Sequence, residues 1–359
     1  MFESRSGKAA FYHVALNGLN PQAHYSYQVC TGDSISEWFD FHTYKDKRDK
    51  FSFIFVGDVQ DTIGGVSNMM LKEAVRRNPK AEFLVCGGDL TERPTHHYWE
   101  ETFRDLDSIA QHMPVLNATG NHDYLKGVIG KLEKRYQLIF SYFIKSQVSD
   151  NMVYTTTYGN TQFFLLDSNR EFFYLPTQRS WLKEQLQKSK AKWKIVVVHH
   201  PLYSIKSNNL IQKWFFNGVI QEYDVDLVLQ GHEHAYARRT MKDELGEPTT
   251  PVYTISHCSP KNYLISFDDD FDKYGISSRY YQTVSIAGDS MMLATYDANN
   301  FTLYDSLCIV KSSGTTRIVD FGKNIKEYLE YTPKPGSSKS RRFKERIEEY
   351  KKRHPERCL

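Results

Sequence analysis

Apolar positions in this chain gather into short continuous runs, each ended by glycine, aspartate or histidine, with amphipathic stretches between them. Residues 51–56, 83–86, 114–116, 193–198 and 226–230 read as strands, and runs with so little polar alternation suit strands covered on both faces. Helical spacing marks 66–77 (Met69, Met70, Ala74, Val75), 97–111 (Trp99, Phe103, Leu106, Ile109), 128–143 and 178–188 (Trp181, Leu182, Leu186). Residues 152–158, a Gly159-Asn160 turn and 163–167 predict a hairpin. Strands at 252–255, 281–286, 291–296 and 303–306 complete a second sheet. The pattern therefore predicts an α/β chain, a β-sandwich with helices outside.

The ends of the strands carry the chemistry. Gly57-Asp58-Val59-Gln60 follows the first, Gly87-Gly88-Asp89 the second and Gly120-Asn121-His122-Asp123 the third. His199-His200-Pro201 and Gly231-His232-Glu233-His234 follow two later ones. Ligands of α/β layers collect beyond the carboxyl ends of strands. Asp, Asp, Asn, His and His-x-His delivered there form a ligand set for two hard or borderline divalent metals. His232 and His234 are two apart, so on a strand they face one way.

The order of these motifs resembles the calcineurin-like metallophosphoesterases, with their D-x-H, G-D, G-N-H-[DE], H and G-H-x-H pattern. The resemblance implies the α/β/β/α four-layer sandwich of that family and a dinuclear centre of two divalent or mixed-valence ions (Fe, Zn, Mn or Mg). Asp89 would bridge the ions. Asp58 and His234 would hold the first ion, and Asn121, His199 and His232 the second. The family form, His then one residue then Pro, favours His199 over His200. The expected activity is hydrolysis of phosphate monoesters, acid phosphatase-like, by attack of a metal-bridging hydroxide with His122 as general acid. A phosphodiesterase or nucleotide pyrophosphatase on the same site is the alternative. A binding protein with a decayed site is the reading from a different class.

Two positions depart from the pattern. Gln60 stands where many members have the histidine of D-x-H. It either offers its carbonyl oxygen to a metal or hydrogen-bonds behind the ligands. Glu92 stands three residues after Asp89, where purple acid phosphatases carry a tyrosine, so no phenolate-to-iron charge transfer and no purple colour are expected. Serine/threonine phosphoprotein phosphatases have Asp-Arg at that offset. By this likeness Glu92 would pair with His122 and keep it protonated, and Arg93 would grip phosphate. An ordinary surface Glu-Arg pair is the other reading. His96, His97, Tyr98, Tyr124, Tyr203 and Asn208 are candidates for the pocket rim only.

Residues 10–16, 25–29 and 38–43 alternate as short antiparallel strands, and "VALNGLNPQAHYSYQV" is similar to the last strands of a fibronectin type III-like domain. The expected division is a partial domain of this kind over 1–44, a charged linker, a metallophosphoesterase domain over 51–312 and a charged C-terminal tail over 333–359. Three strands leave an edge unpaired. The expectation is therefore that the true N-terminus, and with it a signal peptide, lies outside this sequence, which would make the protein secreted or periplasmic. The alternative is a short start packed on the catalytic domain. The tail has a thin apolar stripe, Phe343, Ile347 and Tyr350, and reads as weakly docked or mobile.

Composition narrows the partners. The net charge of +3 over 359 residues leaves no electrostatic footprint for nucleic acid. No run of 18 apolar residues is present, so no membrane span is expected. The five cysteines are scattered without a C-x-x-C and read as buried or incidental thiols. A small phosphorylated substrate is the expected partner.

Overall fold

The computed structural model describes residues 2–6, 9–44, 48–126, 131–142, 148, 152–169, 172–206, 210–312 and 314–359. Six short strands open the chain: β1 (Phe2–Ser6), β2 (Ala9–His13), β3 (His24–Tyr27), β4 (Cys30–Thr31), β5 (Ser34–Ile35) and β6 (Phe39–His42). They pair as three two-stranded ribbons, β1 with β2, β3 with β6 and β4 with β5. Residues 45–47 of the expected linker lie outside the described residues.

Two seven-stranded sheets follow. One is ordered β20-β19-β18-β17-β7-β8-β9. Its strands are β7 (Lys50–Val56), β8 (Ala81–Cys86), β9 (Val115–Asn117), β17 (Tyr280–Ala287), β18 (Ser290–Asp297), β19 (Thr302–Ser312) and β20 (Thr315–Asp320). The other is ordered β10-β11-β12-β13-β15-β14-β16. It contains β10 (Tyr154–Tyr158), β11 (Thr161–Leu165), β12 (Trp193–Val198), β13 (Leu227–Gln230), β14 (Tyr236–Lys242), β15 (Pro248–Ile255) and β16 (Lys273–Gly275). Helices α1 (Ser67–Arg77), α2 (His96–Leu106) and α3 (Lys134–Ile139) pack on the first sheet, and α4 (Leu175–Lys188) and α5 (Leu210–Glu222) on the second.

The period of two decides which side chain enters which layer. Phe51, Phe53 and Phe55 of β7 point between the sheets, where they meet Phe83, Phe163, Ile195, Leu227 and Val284. Ile54 and Val56 point the other way, onto Met70, Leu71 and Trp99 of α1 and α2. In the facing sheet Phe163, Leu165, Ile195 and Val197 go inward, while Phe164, Leu166, Val196 and Val198 meet Leu182, Phe216 and Ile220 of α4 and α5. The layers are helix, sheet, sheet, helix. The near-continuous apolar runs thus follow from burial on both faces. β7, β8 and β9 run parallel, as do β11, β12, β13 and β15, so the carboxyl ends of each set gather at one edge of its sheet.

Several elements differ from the pattern-based expectation. β14, β16, β20 and α5 have no counterpart in it, although the apolar spacing of Phe215, Phe216, Val219 and Ile220 in α5 is helical. Of the helix expected over 128–143, the described residues 131–142 are helical only over Lys134–Ile139 (α3); 128–130 and 143 lie outside the described residues. The second helix stops at Leu106 rather than 111, and Ser108 just beyond takes a left-handed φ of 63°.

The largest correction concerns the C-terminus. α6 (Ser338–Arg353) is capped by Ser337, whose side chain accepts from the Ser340 N–H at 3.2 Å. Its stripe is not weakly docked. Phe343, Ile347 and Tyr350 are buried against Ile265, Phe271, Tyr274 and Leu329. Phe267 lies 4.9 Å from the Tyr350 ring and 6.1 Å from that of Phe343. Ile347→Ala should cost about 2–4 kcal/mol of stability, as expected for a cavity in a packed site. Glu348→Ala on the exposed face should change it by less than about 0.5 kcal/mol. Denaturant unfolding of both variants checks the docking.

A second prediction concerns pH. Asp105 of α2 is buried, and burial together with Glu101 and Asp61 pushes its carboxyl up to about 7. An acid whose folded pKa is raised contributes stability that is full below its unfolded pKa and is lost as pH rises through the folded value. Asp105→Asn cannot ionise. Its melting temperature relative to the parent should climb between pH 5 and pH 8, by roughly 2–4 °C, and then level off. Melting curves across that range test the sign.

Candidate metal centre

Five parallel strand ends converge on one edge of the sandwich, and the backbone there is tightly interlocked. Gly87 N–H donates to Val56 at 2.8 Å, Gly231 N–H to His199 at 3.0 Å and Cys258 N–H to Gly57 at 2.8 Å, the last joining the two sheets. A Cβ on Gly120 would lie 2.1 Å from Asp89 Oδ1, and one on Gly231 2.4 Å from Asp58 Oδ2. The glycines of the motifs are spaces for the acids. Asp58, Asp89 and His232 themselves sit at positive φ (50°, 52° and 68°), a conformation costly for residues with a Cβ and concentrated at functional sites.

The side chains form two groups joined by Asp89. In one, His199 Nε2 lies 3.2 Å and His232 Nδ1 2.8 Å from Asn121 Oδ1. In the other, His234 Nε2 lies 3.3 Å from Asp58 Oδ1 and 2.9 Å from Gln60 Nε2. Asp89 Oδ2 is 3.4 Å from His199 Nε2 and 3.5 Å from Gln60 Nε2. Asp89, His199 and His232 each offer a ligand atom within 4.8 Å of the others. All seven residues sequence reasoning named as ligands stand together.

Backbone carbonyls fix the imidazoles. His199 Nδ1–H donates to the Gly87 carbonyl at 2.9 Å and His234 Nδ1–H to that of Lys261 at 3.0 Å. Each ring is thereby oriented with its Nε2 toward the site. His200 turns away, its Nδ1 2.9 Å from Ser168 Oγ. Burial lowers His200 to about 3 and His232 to about 2, in both cases with help from His199, so both rings are neutral. Burial acts downward on His199 too, but Asp89 beside it outweighs that and raises it to about 9. Asp89 is correspondingly held below the usual carboxylate range, His199 overcoming the burial penalty.

The residues fit a pair of cations. Asp58 Oδ1 is buried without a hydrogen-bond partner, and Gln60 presents its Nε2 to His234 and Asp89. An acceptor buried without a partner is costly, and a positive ion is the partner that suits it. Carboxylate, amide oxygen and imidazole without thiolate match zinc, iron or manganese.

His122 stands on a short 3-10 turn (Asn121–Asp123) that Asp123 closes by accepting the Gly120 N–H at 2.7 Å. Burial, and then Asp89, push the Asp123 carboxyl well above its ordinary value. His122 N–H donates to Asp89 Oδ1 at 2.7 Å, and its ring Nδ1–H donates to the backbone carbonyl of Glu92 at 2.5 Å. The expected Glu92–His122 carboxylate dyad is therefore corrected. Glu92 offers His122 its carbonyl, while its carboxylate Oε1 accepts from Lys261 Nζ at 2.5 Å. Arg93 is exposed.

The rim candidates divide. His96 and His97 are exposed and lie within ion-pair distance of Glu100, and Tyr98 is half-buried on the same helix. Tyr124 donates to Asp167, and Tyr203 packs on the Tyr253 ring at 4.9 Å. Asn208 lies outside the described residues. Sequence reasoning missed the loop after β15. Tyr263 there stacks on His234 at 4.2 Å and 9°, next to Lys261. The signal was available, since β15 is one more strand with a polar carboxyl end.

The family model described as calcineurin-like phosphoesterase matches residues 51–236. Purple acid phosphatase 23 of Arabidopsis thaliana is 25% identical over 283 residues, covering 67% of this chain and 60% of that protein. Phosphoenolpyruvate phosphatase of Allium cepa is 25% identical over 245 residues, covering 63% and 50%. The chain thus spans between half and three fifths of these relatives' length. Among solved structures, purple acid phosphatase PPD1 from yellow lupin (Lupinus luteus) seeds shares the fold, with a TM-score of 0.69 at 16% identity, covering 83% of this chain and 61% of that one. The chain belongs to the calcineurin-like phosphoesterase family, and among the known proteins it is similar to purple acid phosphatases.

Proposed function

We propose that the protein is a metal-dependent phosphatase that hydrolyses phosphate monoesters at this strand-end site. The observation that carries the reading is the constellation of buried Asp58, Gln60, Asp89, His199 and His234 with half-buried Asn121 and His232, and with His122 half-buried at its edge and holding its Nδ1–H on a carbonyl. Relatives named as acid phosphatases and as a phosphoenolpyruvate phosphatase support monoesters as the substrate class.

Two bound cations would supply an activated water and neutralise charge growing on the phosphoryl oxygens. Asp89, between the two groups, would be shared; Asp58, Gln60 and His234 would serve one ion and Asn121, His199 and His232 the other. A half-turn of the Gln60 amide brings its oxygen to where its nitrogen now meets His234. His122 does the remaining work. With Nδ1–H held by Glu92, the protonated ring carries its second proton on Nε2, free to pass to the leaving alkoxide. Main-chain anchoring of the ring and of His122 N–H to Asp89 keeps that proton beside the ligand group rather than loose at the rim. Arg93 is exposed and reaches phosphate only by turning inward. The same proposal keeps 1–44 as a partial fibronectin type III-like segment, 51–312 as the catalytic domain and 333–359 as a C-terminal segment.

Elemental analysis of the protein should give two metal equivalents per chain. Asp89→Asn should lose at least one and lower turnover more than about 100-fold while the melting curve stays cooperative. Retention of both ions with near-normal turnover would remove Asp89 from the shared position. A panel of monoesters, diesters and nucleotides with Mn, Zn, Fe and Mg then tests the substrate class, and preference for diesters would overturn the monoester assignment.

His122→Ala should show leaving-group dependence. Turnover of an alkyl phosphate should fall by about 100-fold or more, the range of general acid catalysis. 4-Nitrophenyl phosphate, whose leaving group needs little protonation, should lose roughly tenfold or less. Equal losses on both substrates would count against His122 as the acid.

A further inference from the structure

We propose that Lys261 and Glu92 are positioning residues, an ion pair that braces the acid His122 against the loop holding His234. The proposal rests on the reading of His122 given above. Lys261 Nζ meets Glu92 Oε1 at 2.5 Å, across 169 positions of sequence and between the two sheets, from the loop after β15 to the loop after β8. What distinguishes this pair from other surface pairs is the role of its two main chains. The Glu92 carbonyl accepts His122 Nδ1–H at 2.5 Å, and the Lys261 carbonyl accepts His234 Nδ1–H at 3.0 Å. One contact between side chains therefore ties together the two backbone oxygens that set the tautomers of the acid and of a metal-site imidazole.

Each loop is already fastened on its own side. Tyr263 N–H donates to the His234 carbonyl at 3.1 Å, and the Tyr263 ring lies parallel to the His234 ring at 4.2 Å. Lys206 Nζ lies over the Tyr263 ring, 3.7 Å from its centroid. On the other side Thr91 Oγ1 and Thr95 N–H both donate to the Arg93 carbonyl, at 2.9 and 2.8 Å. The loops are thus locally rigid, and the ion pair sets their spacing. The Glu92 side chain is 11% exposed and that of Lys261 44%. A pair so placed contributes little to global stability. Its effect lies in geometry, since small displacements of a catalytic group cost rate steeply.

Four full-length variants test the brace: Lys261→Met, Glu92→Met, the double variant and Lys261→Arg. The first readout is the exchange of the His122 Nδ1 proton, followed by NMR in zinc-loaded protein with labelled histidine. The second is the ratio of turnover on an alkyl phosphate to that on 4-nitrophenyl phosphate. Lys261→Met and Glu92→Met should keep the parent's metal content and exchange that proton about tenfold faster. They should also lose about tenfold on the alkyl ester and no more than about twofold on the nitrophenyl ester. The double variant should lose no more than the worse single one, and Lys261→Arg should behave as the parent. Unchanged exchange with an unchanged ratio would overturn the brace. So would losses that multiply in the double variant, or a uniform rise in KM in Lys261→Met alone, which would mean that Lys261 holds the phosphoryl group itself. If His122→Ala shows no leaving-group dependence, the acid assignment falls, while proton exchange still decides whether the pair positions the ring.

Discussion

The structure depends on burying carboxylates and imidazoles together where the strand ends of two sheets meet. Asp58, Asp89, His199 and His234 are each at most 1% exposed, so water offers them almost nothing. Every one of their polar atoms must find a partner in the chain or in a bound ion. This requirement explains the glycines, which let Asp89 approach Gly120 and Asp58 approach Gly231 closer than any Cβ would allow. It also explains three non-glycine residues at positive φ in one site. The surrounding sandwich holds them there because β7, β8, β12 and β13 have both faces packed.

Main-chain carbonyls stand behind the imidazoles of this site. Gly87, Lys261 and Glu92 each take an Nδ1–H, and each lies in a loop leaving a parallel strand. Using the backbone rather than carboxylates for this task avoids adding more buried negative charge beside Asp58 and Asp89. The side chain of Glu92 is then free to reach Lys261. A site built this way draws its precision from the spacing of the loops, which makes contacts between loops matter to chemistry.

Away from the site a second buried charge cluster joins the sheets. Arg238 of β14, 1% exposed, donates to Asp305 of β19 at 2.7 Å and to Asp320 of β20 at 2.8 Å, with Tyr236 also on Asp305. Burial works against the guanidinium charge, but Asp305 and then Asp320 more than compensate. Such a cluster fixes the pairing of particular strands more than it adds stability. Here it anchors the edge where β16, residues 264–276 and α6 meet, and α6 closes that edge with Phe343, Ile347 and Tyr350.

Local pattern alone decided much of this protein. The continuous apolar runs at 51–56 and 193–198 mark strands, and a polar motif directly after each buried run marks where the ligands gather. Those facts depend only on neighbours in sequence, so Asp58, Asp89, Asn121, His122, His199, His232 and His234 were legible. Contacts between residues far apart were not. The family form favoured His199 over His200, but that Ser168 holds His200 away from the group is a contact only the fold supplies. Glu92 meets His122 by its carbonyl because its carboxylate is drawn to Lys261, 169 positions away. The stripe of α6 shows that one face is apolar, but only the surface formed by Ile265, Phe267, Tyr274 and Leu329 makes it core. Periodicity specifies which face of an element is buried; what it is buried against is settled by packing, where many distant weak contacts act at once.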